Sequence, residues 1–312
     1  MENSSFSIKK FKDLLKLINP TAKVQFFENT YIKKLDDSFY DYSSEIEFNN
    51  KIYYGRGISF SANLAIFKSF FESIERTLIK YNSLTSSNGV AVSFDPNLSK
   101  EIAKNELIER HLFLYHWLNL IPFTVVENQL TKFFTEKFYL NYSKDIKISF
   151  YKTITFNGKN CIICLISGIN YKNARFGAIL GLGYKFNLEQ SISHSFFEAI
   201  SHFSHDYKNK LLHENISLEQ FNKITNYKFS DHGKLGKNID YYLQYSSLFP
   251  ITSFNEAPTG IVSNNFNFIS LKIPFDLSLS AIRCVSDELL QLSCGLHNNC
   301  SKYLNKNPHI IN

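Results

Sequence analysis

Apolar residues recur at helical spacing through Leu64, Phe67, Phe71, Ile74 and Leu78, while Lys68, Ser69, Glu72, Glu75 and Arg76 make a polar face between them. This spacing predicts a helix over 61–82. The same reading predicts helices near 98–118, 127–142 and 187–208. It also predicts an amphipathic first helix over 6–18, carrying Phe6, Leu14, Leu15, Leu17 and Ile18 and ended by Pro20. The second of these opens on Asp95-Pro96-Asn97-Leu98-Ser99, with capping-type residues before a helix. Apolar runs predict strands at 51–59, 90–94, 146–154, 161–169, 175–184 and 280–286. Residues 20–50 mix short β-like runs with polar turns, 82–89 is a polar turn region, and 209–265 is less regular, as an insertion or cover. The interleaved order predicts an α/β chain of mixed α+β type, without low-complexity segments or a Gly/Ser linker. Residues 1–50 are expected to pack, as a helix and short strands, on a main domain over 51–312.

Two of these helices carry one signature each: Glu72-Ser73-Ile74-Glu75-Arg76 and Glu106-Leu107-Ile108-Glu109-Arg110. Both follow the same strand–turn–helix grammar, which predicts an internal pseudo-duplication. Residues three and four apart share a helix face, so each signature can present two carboxylates and one guanidinium together. The plain reading is an i,i+4 ion pair on a solvated face, contributing about 0.2–0.5 kcal/mol. Two copies in matching contexts, both beside aromatic flanks, favour a shared site. Clustered carboxylates repel, and Mg²⁺ is the natural ion to hold them, since it takes oxygen ligands and bridges to phosphates. Arginines can answer the phosphate charge.

Composition narrows the field. The 312 residues are 44% hydrophobic, enough for a sizeable core. The net charge of +6 arises from 34 Lys+Arg against 28 Asp+Glu, interspersed along the chain. No basic stripe or nucleic-acid fold signature is present, which excludes a nucleic-acid partner. No apolar run approaches the roughly 18 residues of a spanning helix, and residues 1–16 have no secretory apolar region. A soluble cytoplasmic protein is expected, with no membrane partner. The five cysteines are irregularly spaced. Cys161 and Cys164 fall on an apolar strand, where residues three apart face opposite sides, which argues against zinc or redox chemistry. Cys284, Cys294 and Cys300 read as structural.

Gly181-Leu182-Gly183 lacks the third glycine and the context of a dinucleotide fingerprint. Gly233-Lys234-Leu235-Gly236-Lys237 lacks phosphate-loop spacing and reads as a solvated turn. His111, His116, His194, His202 and His205 read first as core or surface histidines. His194 and His202 stand out because they flank Glu198 on one helix, and His202 can touch it.

Three segments in order, GRGISFSANLAIFKSFFESIERTL, SSNGVAVSFDPNLSKEIAKNELIERHLFLYHW and GAILGLGYKFNLEQSISHSFFEAI, resemble the motifs of the YcaO family. DHGKLGKNIDYYL is similar to a later family segment. The resemblance covers about residues 50–312. It implies a YcaO-like domain that binds ATP and Mg²⁺ without a P-loop. It implies a cyclodehydratase that phosphorylates backbone amide oxygens of a ribosomally made precursor peptide, forming azolines at Cys, Ser or Thr. By the same resemblance Glu72, Glu75, Glu106, Glu109 and Glu198 hold the metal. Arg56, Lys68, Ser69, Arg76, Thr85, Ser87, Asn88 and Arg110 meet the nucleotide, and Glu198, His202 and Arg110 serve catalysis. The implied partners are the precursor peptide, a leader-recognising protein of ThiF/E1-like type and a flavin dehydrogenase. Lys68 stands where the family has Ser, and His194 where it often has Arg. These departures motivate the alternative of a scaffold subunit that binds peptide without ATP turnover. A branch forming thioamides or amidines is the other alternative.

Overall fold

The computed structural model describes residues 22–84, 86–169, 175–251, 265–275, 278–290 and 303–311. The expected helix over 6–18, Thr85, Cys294 and Cys300 lie outside them. In chain order the elements are β1 (Lys23–Glu28), α1 (Thr30–Lys33), β2 (Tyr40–Phe48), β3 (Lys51–Ser59), α2 (Ala62–Tyr81), β4 (Val90–Ser93), α3 (Pro96–Asn119), β5 (Thr124–Val125), α4 (Gln129–Asn141), β6 (Lys147–Phe156), β7 (Lys159–Gly168), β8 (Phe176–Gly183), α5 (Leu188–Lys208), α6 (Leu218–Asn222), α7 (Phe229–Lys237), α8 (Ile239–Gln244), β9 (Asn267–Ser270) and β10 (Ser280–Val285). They form two compact units, Met1–Glu106 with Phe266–Ser286, and Leu107–Asn265 with Asp287–Asn312. Helix α3 runs through the boundary.

The first unit holds two antiparallel sheets, β1-β2-β3 and β4-β10-β9. Residues 22–48 do not stand apart, because β1 and β2 complete the sheet that β3 ends. Helix α2 buries Phe70, Ile74 and Leu78 against Ile46 of β2, Val92 of β4 and Ala281 of β10. One amphipathic stripe therefore serves both sheets, as its apolar spacing requires.

The second unit is built on the antiparallel sheet β5-β6-β7-β8. Strands β7 and β8 are almost wholly buried, so they read as continuous apolar runs. Helix α5 covers them. Phe134 of α4 stacks on Phe196 of α5 with ring centroids 4.1 Å apart, and Phe138 meets Phe203. Cys161 and Cys164 are buried free thiols on β7, and burial raises the pKa of both. Segment 233–237 is not a solvated turn: it lies in α7, where Leu235 is fully buried and Lys237 pairs with Asp206 at 2.8 Å. A helix with glycines at 233 and 236 can pack closely, and Gly236 lies against Gly177 of β8. Among the described residues no helix is long and apolar enough to cross a membrane.

The expected pseudo-duplication pairs the two Glu-x-x-Glu-Arg helices, α2 and α3; the repeat that sequence and packing show instead joins β3–α2 to β8–α5. Gly55-Arg56-Gly57-Ile58-Ser59-Phe60 corresponds to Gly181-Leu182-Gly183-Tyr184-Lys185-Phe186, and Ser69-Phe70-Phe71-Glu72 repeats as Ser195-Phe196-Phe197-Glu198 at the same offset. The packing repeats as well. A Cβ on Gly55 would lie 2.0 Å from the Ser69 carbonyl oxygen, and one on Gly181 would lie 2.1 Å from that of Ser195. Only glycine lets the helix backbone lie this close on the strand. Gly55→Ala and Gly181→Ala should each cost about 3 kcal/mol of unfolding free energy in urea titrations. Gly158→Ala, at a turn with φ +79° and nothing within 4 Å, should cost only about 1 kcal/mol.

Candidate active site: carboxylates on strand edges

The glycine-tight packing carries a carboxylate of each helix to the open edge of a strand. In the first unit the Arg56 N–H of β3 donates to Glu72 Oε2 at 2.9 Å. The Val92 N–H of β4 donates to Glu75 Oε1 at 3.2 Å. In the second unit the Leu182 N–H of β8 donates to Glu198 Oε2 at 2.6 Å, and the Tyr184 N–H just beyond it donates to Glu109 Oε2 at 2.8 Å. Among the described residues β3, β4 and β8 are terminal strands of their sheets, and no strand there pairs with these amides. Each glutamate thus has one oxygen fixed by the backbone.

The second oxygens differ. Glu72 Oε1 pairs with Arg76 at 2.6 Å, but the arginine side chain is 59% exposed. This is the i,i+4 surface pair of the plain reading, contributing little. Arg110 behaves otherwise. Its side chain is 13% exposed, and Nη2 lies 3.1 Å from Glu198 Oε1 and 3.9 Å from Glu109 Oε1. It joins carboxylates from α3 and α5. No lysine or arginine among the described residues forms a salt bridge to Glu75.

These surroundings set the charge states. Burial holds Glu75 well above the ordinary carboxylate value, and the charges of Glu106 and Glu72 push it further, against the Val92 N–H and Arg76. Burial also raises Glu109. Arg110 and Lys185 oppose that rise, and Glu198 adds to it. Lys185 carries no expectation from the sequence. It immediately follows the edge residue Tyr184, so the repeat of the glycine motif is the signal that marks it. His111 and His116 are buried, with pKa values lowered to about 4 by burial. His116 has partners on both ring nitrogens, Ile121 O and the Ile154 N–H. Both are core histidines.

Several expected nucleotide residues have other occupations. The Arg56 guanidinium grips buried Asp41 through Nε at 2.9 Å and Nη2 at 2.6 Å. Lys68 Nζ donates to the Ile58 carbonyl at 3.3 Å. Ser69 is fully buried and its hydroxyl donates to Ile66 O. Ser87 accepts the Val90 N–H through its carbonyl. Asn88 is 8% exposed, and its Oδ1 finds no hydrogen-bond partner among the described residues. His194 and His202 lie one turn to either side of Glu198, both half-buried. In the repeat His202 takes the place of Arg76.

Among the described residues no three His, Cys, Asp or Glu side chains gather closely enough to form a metal site. The donor chemistry nevertheless suits Mg²⁺. The groups are carboxylate oxygens, and Glu75 is a desolvated acid under the repulsion of two others, which a divalent ion would relieve.

By sequence, no family model and no curated protein matches the chain. By structure, the chain is similar to YcaO from Methanopyrus kandleri bound with AMPPCP and Mg²⁺, at TM-score 0.56 and 7% identity, covering 88% of this chain and 87% of that one. It is similar to a chain of the E. coli microcin synthetase McbBCD complex, at TM-score 0.53 and 11% identity, covering 79% and 84%. It is similar to a heterocyclase in complex with substrate and cofactor, at TM-score 0.56 and 11% identity, covering 88% of this chain and 51% of that one. The chain has the YcaO-family fold.

Because Glu75 is protonated more readily in the folded than in the unfolded chain, folding loses stability as pH rises above the ordinary carboxylate value of 4.5. Glu75→Gln should therefore raise the melting temperature of the metal-free protein at about pH 8, and this gain should shrink towards pH 4.5. Thermal melts across pH check it.

Proposed function

We propose that this chain, on its YcaO-family fold, is an ATP- and Mg²⁺-dependent cyclodehydratase that forms azolines at Cys, Ser or Thr of a ribosomally made precursor peptide. The observation that carries the reading is Glu75, a desolvated carboxylate held by a strand edge, repelled by two neighbours and without a salt bridge among the described residues. Such a group is costly unless a cation arrives. Bound Mg²⁺ would neutralise phosphate charge, which is the main requirement of phosphoryl transfer.

The protein's own groups take definite roles in this reading. Glu72, Glu75 and Glu106 of the first unit, and Glu109 and Glu198 of the second, supply metal ligands. The edge amides of Arg56, Val92, Leu182 and Tyr184 fix one oxygen of four of them. Arg110 orients Glu198 and Glu109 and adds positive charge for phosphate. Asn88 offers an unused acceptor to the nucleotide. His202 is placed to hold or move a proton one turn from Glu198. The M. kandleri YcaO is described with AMPPCP and Mg²⁺, which supports the cofactor part of the reading. The microcin synthetase chain belongs to a complex, which supports partner subunits. The partners of this reading are the precursor peptide, a leader-recognising protein of ThiF/E1-like type and a flavin dehydrogenase.

A second reading is favoured by Arg56, Lys68 and Ser69, whose polar atoms serve internal contacts. It is a scaffold subunit that binds peptide without ATP turnover. Calorimetric titration separates the two. The enzyme reading expects Mg²⁺-dependent ATP binding, weakened at least about tenfold in Glu75→Gln and Arg110→Gln, since a charge-assisted contact contributes roughly 1.5–3 kcal/mol. Absence of ATP binding with Mg²⁺ present selects the scaffold.

A further inference from the structure

The two edges of the sheet β4-β10-β9 are finished differently. At β4, Glu75 takes the outward amide of Val92. At β9, no strand among the described residues pairs with the outer edge. The pairing of β9 with β10 sets which groups face out. Leu271 donates its N–H to Ala281 O, and the register continues as Ile269 opposite Arg283 and Asn267 opposite Val285. In an antiparallel ladder the intervening residues point the other way. Phe268 and Ser270 therefore turn their N–H and C=O groups outward. All four residues of β9 are exposed, with Phe268 39% and Ile269 49% accessible.

A row of open backbone groups flanked by apolar side chains asks for another strand. The charges around it choose which. Lys100 Nζ lies 5.9 Å from the ring centre of Phe268, Lys104 Nζ lies 4.4 Å from that of Phe266, and exposed Lys272 follows the strand. A second copy pairing β9 with β9 would bring these lysines against their counterparts. An acidic peptide would meet opposite charge instead.

We propose that β9 is the docking edge for an extended, acidic segment of the peptide substrate, which adds as a further antiparallel strand. The inference rests on the peptide-modifying reading above. Its backbone would exchange hydrogen bonds with Phe268 and Ser270, its carboxylates would meet Lys100 and Lys104 on the face of Phe268, and its apolar side chains would lie along Ile269 on the other face.

Fluorescence anisotropy with two labelled peptides tests this, one alternating glutamate with valine and the other lysine with valine. The acidic peptide should bind and the basic one should not. Ser270→Pro removes an outward donor while leaving the β10 ladder intact, and should weaken acidic-peptide binding at least about tenfold. The double change Lys100→Glu, Lys104→Glu should reverse the preference and covers the case in which the proline variant fails to fold. Equal binding of both peptides, or unchanged binding by folded Ser270→Pro, overturns the proposal. So does a dimer in sedimentation velocity that Ser270→Pro dissolves. Nucleotide binding reads the other claim separately: wild-type protein that binds the acidic peptide but no ATP supports the edge and overturns the cyclodehydratase reading.

Discussion

A carboxylate on a helix accepting the outward amide of an edge strand is the interaction on which the rest depends. It occurs at Arg56–Glu72, Val92–Glu75, Leu182–Glu198 and Tyr184–Glu109. At Arg56–Glu72 and Leu182–Glu198 it depends on glycines at 55, 57, 181 and 183, which let α2 and α5 lie on β3 and β8 without an intervening side chain. Bring the helix outward by the width of a methyl group and the glutamate no longer reaches the edge. The same bonds occupy amides that would otherwise recruit foreign strands. They also aim one oxygen of each carboxylate, while the other oxygen of Glu72 pairs with Arg76 and that of Glu198 with Arg110, an arrangement that positions charge before any ligand binds.

The two units resolve the resulting electrostatic cost by different means. In the second, buried Arg110 lies between Glu198 and Glu109, and Lys185 adds a further positive charge near Glu109. In the first, the Arg76 guanidinium stays in water with Glu72, and Glu75 remains the least compensated group of the set. The unit lacking internal compensation is the one with most to gain from an external cation. The proposed use of Mg²⁺ rests on that asymmetry together with the oxygen-only donors.

Much of this was legible in the sequence. The 3.6-residue period located α2, α4 and α5 within a few residues, because each buries one stripe, whereas α3 is buried on nearly all sides from Leu107 to Leu118 and was marked by its capping residues and its signature. The doubled Glu-x-x-Glu-Arg marked Glu75, Glu109 and Arg110. The repeat that governs packing was also written there, as Gly-x-Gly-x-x-Phe and Ser-Phe-Phe-Glu in both halves, although the Glu-x-x-Glu-Arg pair draws the eye first. What could not be read were long-range partners. Nothing local says that Arg56 is gripped by Asp41 across two strands, or that Ser69 lies beneath a sheet. Glycine and lysine at 233–237 suggest a turn by composition, yet tertiary packing against β8 makes them helix. The strand β9 is too short and too exposed to carry a periodic signal.

Amide hydrogen exchange at single residues tests the account most directly. If helix carboxylates hold the strand edges, Glu75→Ala should abolish protection at Val92 while leaving Leu182 protected, and Glu198→Ala should do the reverse. Protection at Val92 and Leu182 that survives both changes would contradict it, since the edges would then be held by something other than these glutamates.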